Sequence, residues 1–199
     1  MSKMKIRRIS LLNFKGFEKL QLSFDSENVI ILGGKNGYGK TTLFDALELL
    51  FSGRIQRMID YKDYHNNRYG ISQEEKPLVF NKYSDYVIVS AEIELGDARV
   101  VLQRKAKVSD MKNPVDFKAF GKLQIVENDG TERVLSDEDS KNLGIKELCQ
   151  SYSFLNYLSQ EEATTFLKQK EADRAAMLSH LFDLEKYETA SSQCWFILT

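Results

Sequence analysis

Residues 31–42 read ILGGKNGYGKTT. The apolar run NVIIL at 28–32 gives way to glycines at 33, 34, 37 and 39, followed by a lysine and two threonines. Gly34, four residues, then Gly39, Lys40 and Thr41 fit the phosphate-loop spacing G-x-x-x-x-G-K-[ST]. Each residue type has a physical reason to be there. Glycine tolerates positive φ and lets main-chain N–H groups converge on an anion with no Cβ in the way. A helix beginning near Lys40 turns unpaired N–H groups and the positive end of its dipole toward the same anion. Lys40 adds a full charge for the β- and γ-phosphates, the Thr41 hydroxyl is placed to ligate Mg²⁺, and Thr42 is placed to donate to the α-phosphate. The pattern arises by chance in a chain of this length with odds on the order of 1%.

The neighbouring segments set the fold expectation. NVIIL is apolar on both faces, which predicts a strand buried within a sheet, of the kind found in parallel sheets. TTLFDALELLF places Leu43, Ala46, Leu47 and Leu50 at helical spacing, with Gly53 as a C-terminal stop. Upstream, MKIRRISLL (4–12) and KLQLSF (19–24) alternate as half-buried strands do, and NFKGF turns the chain at Gly16. Residues 54–84 are polar, Tyr-rich and irregular, and read as a surface excursion with room for a short helix. DYVIVSAEIEL and ARVVLQRKAKV form a hairpin around Gly96-Asp97. KLQIVE and RVL form another around Asn128-Asp129-Gly130. Ser136 with Asp139 three residues later resembles a capping box and predicts a helix. YSFLNYLS is a further strand candidate, and from Ala163 onward Met177, Leu178, Leu181, Phe182 and Leu184 form an apolar helical stripe. The expected class is mixed α/β: a P-loop fold whose central parallel element carries the glycine loop, with an antiparallel β-subdomain over about 83–135 beside it.

Composition bounds the function classes. The 199 residues are 42% hydrophobic, enough for one ordinary core. The 28 basic and 29 acidic side chains nearly cancel, so only local patches could favour nucleic acid. Cys149 and Cys194 lie far apart without metal-ligand spacing, the N-terminus has no apolar leader, and no run is long enough to span a bilayer. A soluble, cytoplasmic protein without membrane contact is expected.

The segments IRRISLLNFKGFEKLQLSF and ILGGKNGYGKTTLFDALELLFSG together resemble the opening of the SMC, SbcC and RecF group of ABC-type ATPases. In that group a strand ending in Asn-Phe-(Arg/Lys)-(Ser/Gly)-Phe leads to G-x-N-G-x-G-K-[ST]-[ST]. The resemblance returns at YLSQEEATTFLKQKEADRAAMLSHLFDLEKYE (157–188). It implies ATP as cofactor, held by Gly34, Lys35, Asn36, Gly37, Tyr38, Gly39, Lys40, Thr41 and Thr42. It also implies a Q-loop role for Gln160, as a second Mg²⁺ ligand beside Thr41 and, with Lys40, as a catalytic group. The alternative for Gln160 is an ordinary strand-end glutamine. Lys15 matches a basic residue near the nucleotide in SbcC-like heads, against the alternative of a solvated turn lysine.

The family's Ser-Gly-Gly signature, Walker B Asp-Glu pair and switch histidine have no counterpart in this sequence, and SSQCWFILT departs from a coiled-coil pattern. The resemblance therefore implies one lobe of a split head over 1–183. Residues 184–199 are then the root of a coiled coil or an artificial end. Its own C-terminal lobe, a second head in a homodimer, DNA, and a nuclease or effector subunit are the implied partners. ATP binding without efficient turnover is expected of such a lobe alone.

Two patches and two other classes stay open. Arg54, Arg57, Lys62 and Arg68 interleave with Tyr61, Tyr64 and Tyr69, as in nucleic-acid contacts, although Asp60 and Asp63 suit a plain surface loop. Arg104, Lys105, Lys107 and Lys112 suit either DNA-backbone contact or the protection of an edge strand. His65 and His180 lack ligand-spaced partners. A nucleotide-sensing module that controls an effector without acting on DNA is one alternative function, and a P-loop kinase for a small substrate is another.

Overall fold

A computed structural model of the chain describes residues 4–24, 29–35, 37–59, 79–80, 85–95, 98–111, 116–143 and 145. The chain divides into two compact units, Met1–Cys149 and Gln150–Thr199, and all the described residues lie in the first. The strand candidate YSFLNYLS, the helical stripe 177–184, Gln160, both histidines and both cysteines lie outside the described residues.

Six strands form one antiparallel sheet: β1 (Met4–Phe14), β2 (Phe17–Ser23), β3 (Tyr86–Leu95), β4 (Ala98–Lys107), β5 (Gln124–Val126) and β6 (Glu132–Val134), in the order β2-β1-β3-β4-β5-β6. Alternation explains it. Along β3, Val87, Val89, Ala91 and Ile93 are buried, while Ile88, Ser90, Glu92 and Glu94 are partly exposed. Register brings Leu11 opposite Val89 and Ala91 opposite Leu102, so one face of the sheet is largely apolar. Leu95 pairs with Ala98, which leaves the two-residue connection expected of a tight hairpin. The second hairpin also forms: Gly130 sits at φ 85°, and its N–H donates to the Glu127 carbonyl at 2.9 Å.

Helix α1 (Lys40–Ser52) lies against β3 and β4. Leu43, Ala46, Leu49, Leu50 and Phe51 are buried, and burying each larger side chain contributes roughly 2 kcal/mol. Gly53 ends the helix at φ 75°, and its N–H donates to the Leu49 carbonyl at 2.9 Å.

Two arrangements differ from the sequence expectation. Residues 29–35 carry no strand pairing, and Val29 and Ile31 are 75% and 89% exposed. A strand that is apolar on both faces needs neighbours on both edges, and no described strand runs beside this segment. Among the described residues all strand pairing is antiparallel, and the strands of 86–134 are not a separate subdomain. Because β1 pairs with both β2 and β3, they extend the sheet that the N-terminal hairpin begins.

The basic run on β4 also reads differently. β4 lies between β3 and β5, so it is not an edge strand. Arg104 faces the core at 8% exposure, and donates from Nε to the Leu50 carbonyl (2.8 Å) and from Nη1 to the Gly121 carbonyl (2.6 Å). It is thus a structural donor that satisfies a carbonyl in the last turn of α1. Lys105 pairs with Glu132 at 3.2 Å and lies over the Tyr86 ring, 5.1 Å from its centroid. Lys112 is outside the described residues. The described parts of the supposed surface excursion are packed as well, since Ile55 and Met58 near its start and Val79 near its end are buried.

Helix α2 (Asp137–Asn142) begins with the expected capping box: Ser136 Oγ accepts the Asp139 N–H at 3.0 Å, and Asp139 Oδ2 accepts the Ser136 N–H at 3.2 Å. Hydrogen bonds from Arg133, then from Ser136, hold the Asp139 carboxyl well below the usual carboxylate range. Ser136→Ala is expected to lower stability by about 1 kcal/mol in chemical denaturation. A carboxylate whose folded pKa is depressed stabilises above its unfolded value and loses that effect as pH falls toward its folded one. The gap between wild type and Ser136→Ala should therefore narrow as pH falls below about 4.

Candidate functional site

The glycine loop takes the shape that its sequence demands. Gly34, Gly37 and Gly39 have φ of 148°, 88° and 83°, where side-chain-bearing residues are strained. A Cβ on Gly33 or Gly37 would meet nothing within 4 Å, so the peptide groups of the loop are open to approach. The Lys40 ammonium curls back to donate to the Gly34 carbonyl (2.5 Å) and the Lys35 carbonyl (2.9 Å), closing the loop on itself. The Thr42 and Leu43 N–H groups donate to the Gly39 carbonyl at 3.0 and 3.3 Å, which starts α1 immediately after the loop. No side chain caps the N-terminus of α1, and no acidic residue lies in its first turn. Thr41 is exposed there, and Tyr38 is 71% exposed on the loop. Asn36 lies outside the described residues.

The NFKGF turn between β1 and β2 is fixed residue by residue. Asn13 adopts φ 54° and donates from Nδ2 to the Tyr86 carbonyl at 2.9 Å. Phe14 is fully buried. Lys15 adopts φ 52°, donates its N–H to the Val79 carbonyl (3.1 Å), and sends its ammonium to Asp45 Oδ2. The Phe17 ring lies so close to Gly39 that a Cβ there would come within 2.4 Å of Cζ. The turn is thus seated on the loop and its helix.

Sequence reading passed over Asp45. It is 1% exposed on α1 and bonded by two cations, Lys15 and Arg57; Arg57 Nε reaches Oδ1 at 2.5 Å. Burial pushes the Lys15 ammonium below its ordinary value, and Asp45 opposes that shift. Lys15 is therefore engaged inside the fold, while Arg57, with its side chain half exposed, reaches Asp45 from the surface. Glu48, also buried, accepts the Gln56 N–H at 2.9 Å and fastens the turn after α1. The overlooked signal is the spacing: Asp45 and Glu48 fall on the same helix face as Leu49, where a charge needs a partner.

The donor set suits a polyphosphate: open amides with positive φ, an uncapped helix N-terminus and an ammonium at the loop. Thr41 supplies the hydroxyl a bound Mg²⁺ would need. No group of three His, Cys, Asp or Glu able to hold a metal occurs among the described residues. No helix among them is long and apolar enough to cross a membrane.

Comparison with known proteins agrees with this geometry. An AAA domain family model matches residues 8–193. The chain is similar to the DNA replication and repair protein RecF of Clostridioides difficile (strain 630), 33% identical over 86 residues, covering 43% of this chain and 22% of that protein. It is also similar to the probable exonuclease subunit 2 of Escherichia phage T5, 26% identical over 198 residues, covering 96% of this chain and 28% of that protein. The chain thus spans under a third of the length of either relative. Among solved structures it superposes on one from work on ATP-driven dimerization and DNA-stimulated activation of SMC ATPases. The TM-score there is 0.54 at 19% identity, covering 88% of this chain and 98% of that one, a likeness of fold. The P-loop architecture, the antiparallel sheet and the family match agree: the chain belongs to the AAA domain family, in its SMC/RecF-type ABC ATPase branch.

Proposed function

We propose that this chain is the ATP-binding lobe of an SMC- or SbcC-like machine that acts on DNA, in repair or in defence against foreign DNA. The observation that carries the reading is the loop itself, with Gly34, Gly37 and Gly39 at positive φ around the Lys40 ammonium and α1 opening directly behind it. Gly34, Lys35, Asn36, Gly37, Tyr38, Gly39, Lys40 and Thr42 would hold the triphosphate, and Thr41 with Gln160 would hold Mg²⁺. Bound magnesium would neutralise phosphate charge during phosphoryl transfer. The lobe would run over 1–183, followed by the root of a coiled coil. Hydrolysis would require a C-terminal lobe and a second head, and DNA and a nuclease or effector subunit would be further partners. Support comes from the family match and from relatives named for DNA repair and as an exonuclease subunit.

The test is a pair of measurements on the purified 199-residue chain. Magnesium-ATP should bind in titration calorimetry, and phosphate release should stay at background. Robust turnover that Lys40→Ala abolishes would contradict the requirement for a second lobe. Absence of binding would remove the ATP assignment.

A further inference from the structure

We propose that Asp45 is the positioning residue of the phosphate loop, acting through Lys15 and the β1–β2 turn rather than by touching a ligand. The proposal rests on the ATP reading of the loop, but the geometry behind it is independent of any nucleotide. Asp45 lies five residues after Lys40 on α1, with its carboxylate almost wholly removed from solvent. A buried carboxylate in a core helix is unfavourable unless cations and hydrogen bonds compensate it. Here both oxygens are used, and the two cations come from segments on either side of α1 in sequence: Lys15 from the β1–β2 turn and Arg57 from the short helical stretch at 56–59.

The consequence runs through four contacts. Asp45 fixes the Lys15 ammonium, whose own backbone is held at φ 52° and tied to Val79. Two residues later, Phe17 begins β2, and its ring occupies the space beside Gly39 that a side chain would need. Gly39 is the residue whose positive φ ends the loop and whose carbonyl starts α1. The ion pair therefore seats the aromatic ring that holds the last loop glycine in place. Lys15 points into Asp45 with a side chain only 15% exposed, so in this arrangement it braces the loop from behind.

The direction of the effect separates this role from a direct one. If Lys15 served mainly as a phosphate ligand restrained by Asp45, removing the carboxylate would free the ammonium and tighten binding. Positioning demands the opposite.

Magnesium-ATP affinity should be titrated on the full chain for wild type, Asp45→Asn, Lys15→Gln and the double variant, with Lys40→Ala as the control for the nucleotide reading. Each single change should weaken binding about tenfold, and the double change should weaken it no further, because both act through one contact. Unchanged or tighter binding by folded Asp45→Asn, or losses that add in the double variant, would overturn the proposal. If Asp45→Asn fails to fold, Lys15→Gln still leaves the carboxylate paired with Arg57, and Phe17→Leu removes the ring without touching the charges. These two must then lose affinity alike, and wild-type affinity in both would overturn it. The Gly39 amide resonance, recorded without nucleotide, gives a readout that survives failure of the ATP reading. It should move in Asp45→Asn and Lys15→Gln at a temperature where both variants are fully folded, and a fixed resonance would sink the positioning role on its own.

Discussion

Gly39→Ala is expected to abolish measurable magnesium-ATP binding, with an affinity loss of more than about 100-fold, or about 2.7 kcal/mol. Two independent penalties meet at this residue. Its φ of 83° lies in the left-handed region, where a Cβ costs roughly 1–2 kcal/mol. The added Cβ would also come within 2.4 and 2.7 Å of the Phe17 Cζ and Cε2 atoms. Phe17 is only half-buried, so its ring can swing aside, but doing so gives up the contact that seats the turn against the loop. Relief of the clash and loss of the loop geometry are therefore the same event. Gly37 is the internal comparison: its φ of 88° carries similar strain, but a Cβ there meets nothing within 4 Å. Gly37→Ala should lose only about tenfold, the equivalent of strain alone. Equal losses at the two positions would show that the Phe17 contact contributes nothing.

Arg104→Met should give the largest loss of stability, about 3 kcal/mol, seen as a melting temperature lowered by roughly 10 °C. Methionine fills most of the volume but donates no hydrogen bond. The Leu50 carbonyl near the end of α1 would then lose its buried donor, at a cost of about 1–3 kcal/mol, and the exposed Gly121 carbonyl would turn to water. The guanidinium also lies beside Gly53, where a Cβ would meet Nη2 at 3.1 Å, so the same side chain shapes the C-terminal stop of the helix. If Arg104 were instead a surface cation serving DNA, Arg104→Met would leave the melting temperature unchanged and weaken only salt-dependent DNA binding.

The parts of the fold legible in the sequence are those governed by local chemistry. The Leu95–Ala98 pairing that closes the first hairpin, the turn at 128–130, the capping box at Ser136 and the glycine stop of α1 each depend on a few adjacent residues, and all appear where expected. What the sequence concealed depends on partners distant along the chain. NVIIL reads as a strand because it is apolar, but strand formation needs neighbours that the described residues do not supply. Arg104 looked like an exposed cation because three other basic residues surround it in sequence. Only the alternation along β4, which puts Arg104 on the same buried face as Leu102 and Ala106, turns it inward.

The site divides in the same way. Loop residues announce themselves through spacing, since a phosphate can be cradled by consecutive amides. Asp45 was hidden because its two cations lie 30 positions before it and 12 after it. Lys15 illustrates the intermediate case: its place in the turn was visible, but its partner on α1 was not.

Amide resonances offer the most direct test of the central claim, that main-chain N–H groups of the loop and the first turn of α1 grip a triphosphate. Magnesium-ATP should be titrated into the isotopically labelled chain. The account predicts that the largest shifts fall on Gly34, Gly37, Gly39, Lys40 and Thr41, and that Lys40→Ala suppresses them. Shifts that spare these amides while others move would contradict it.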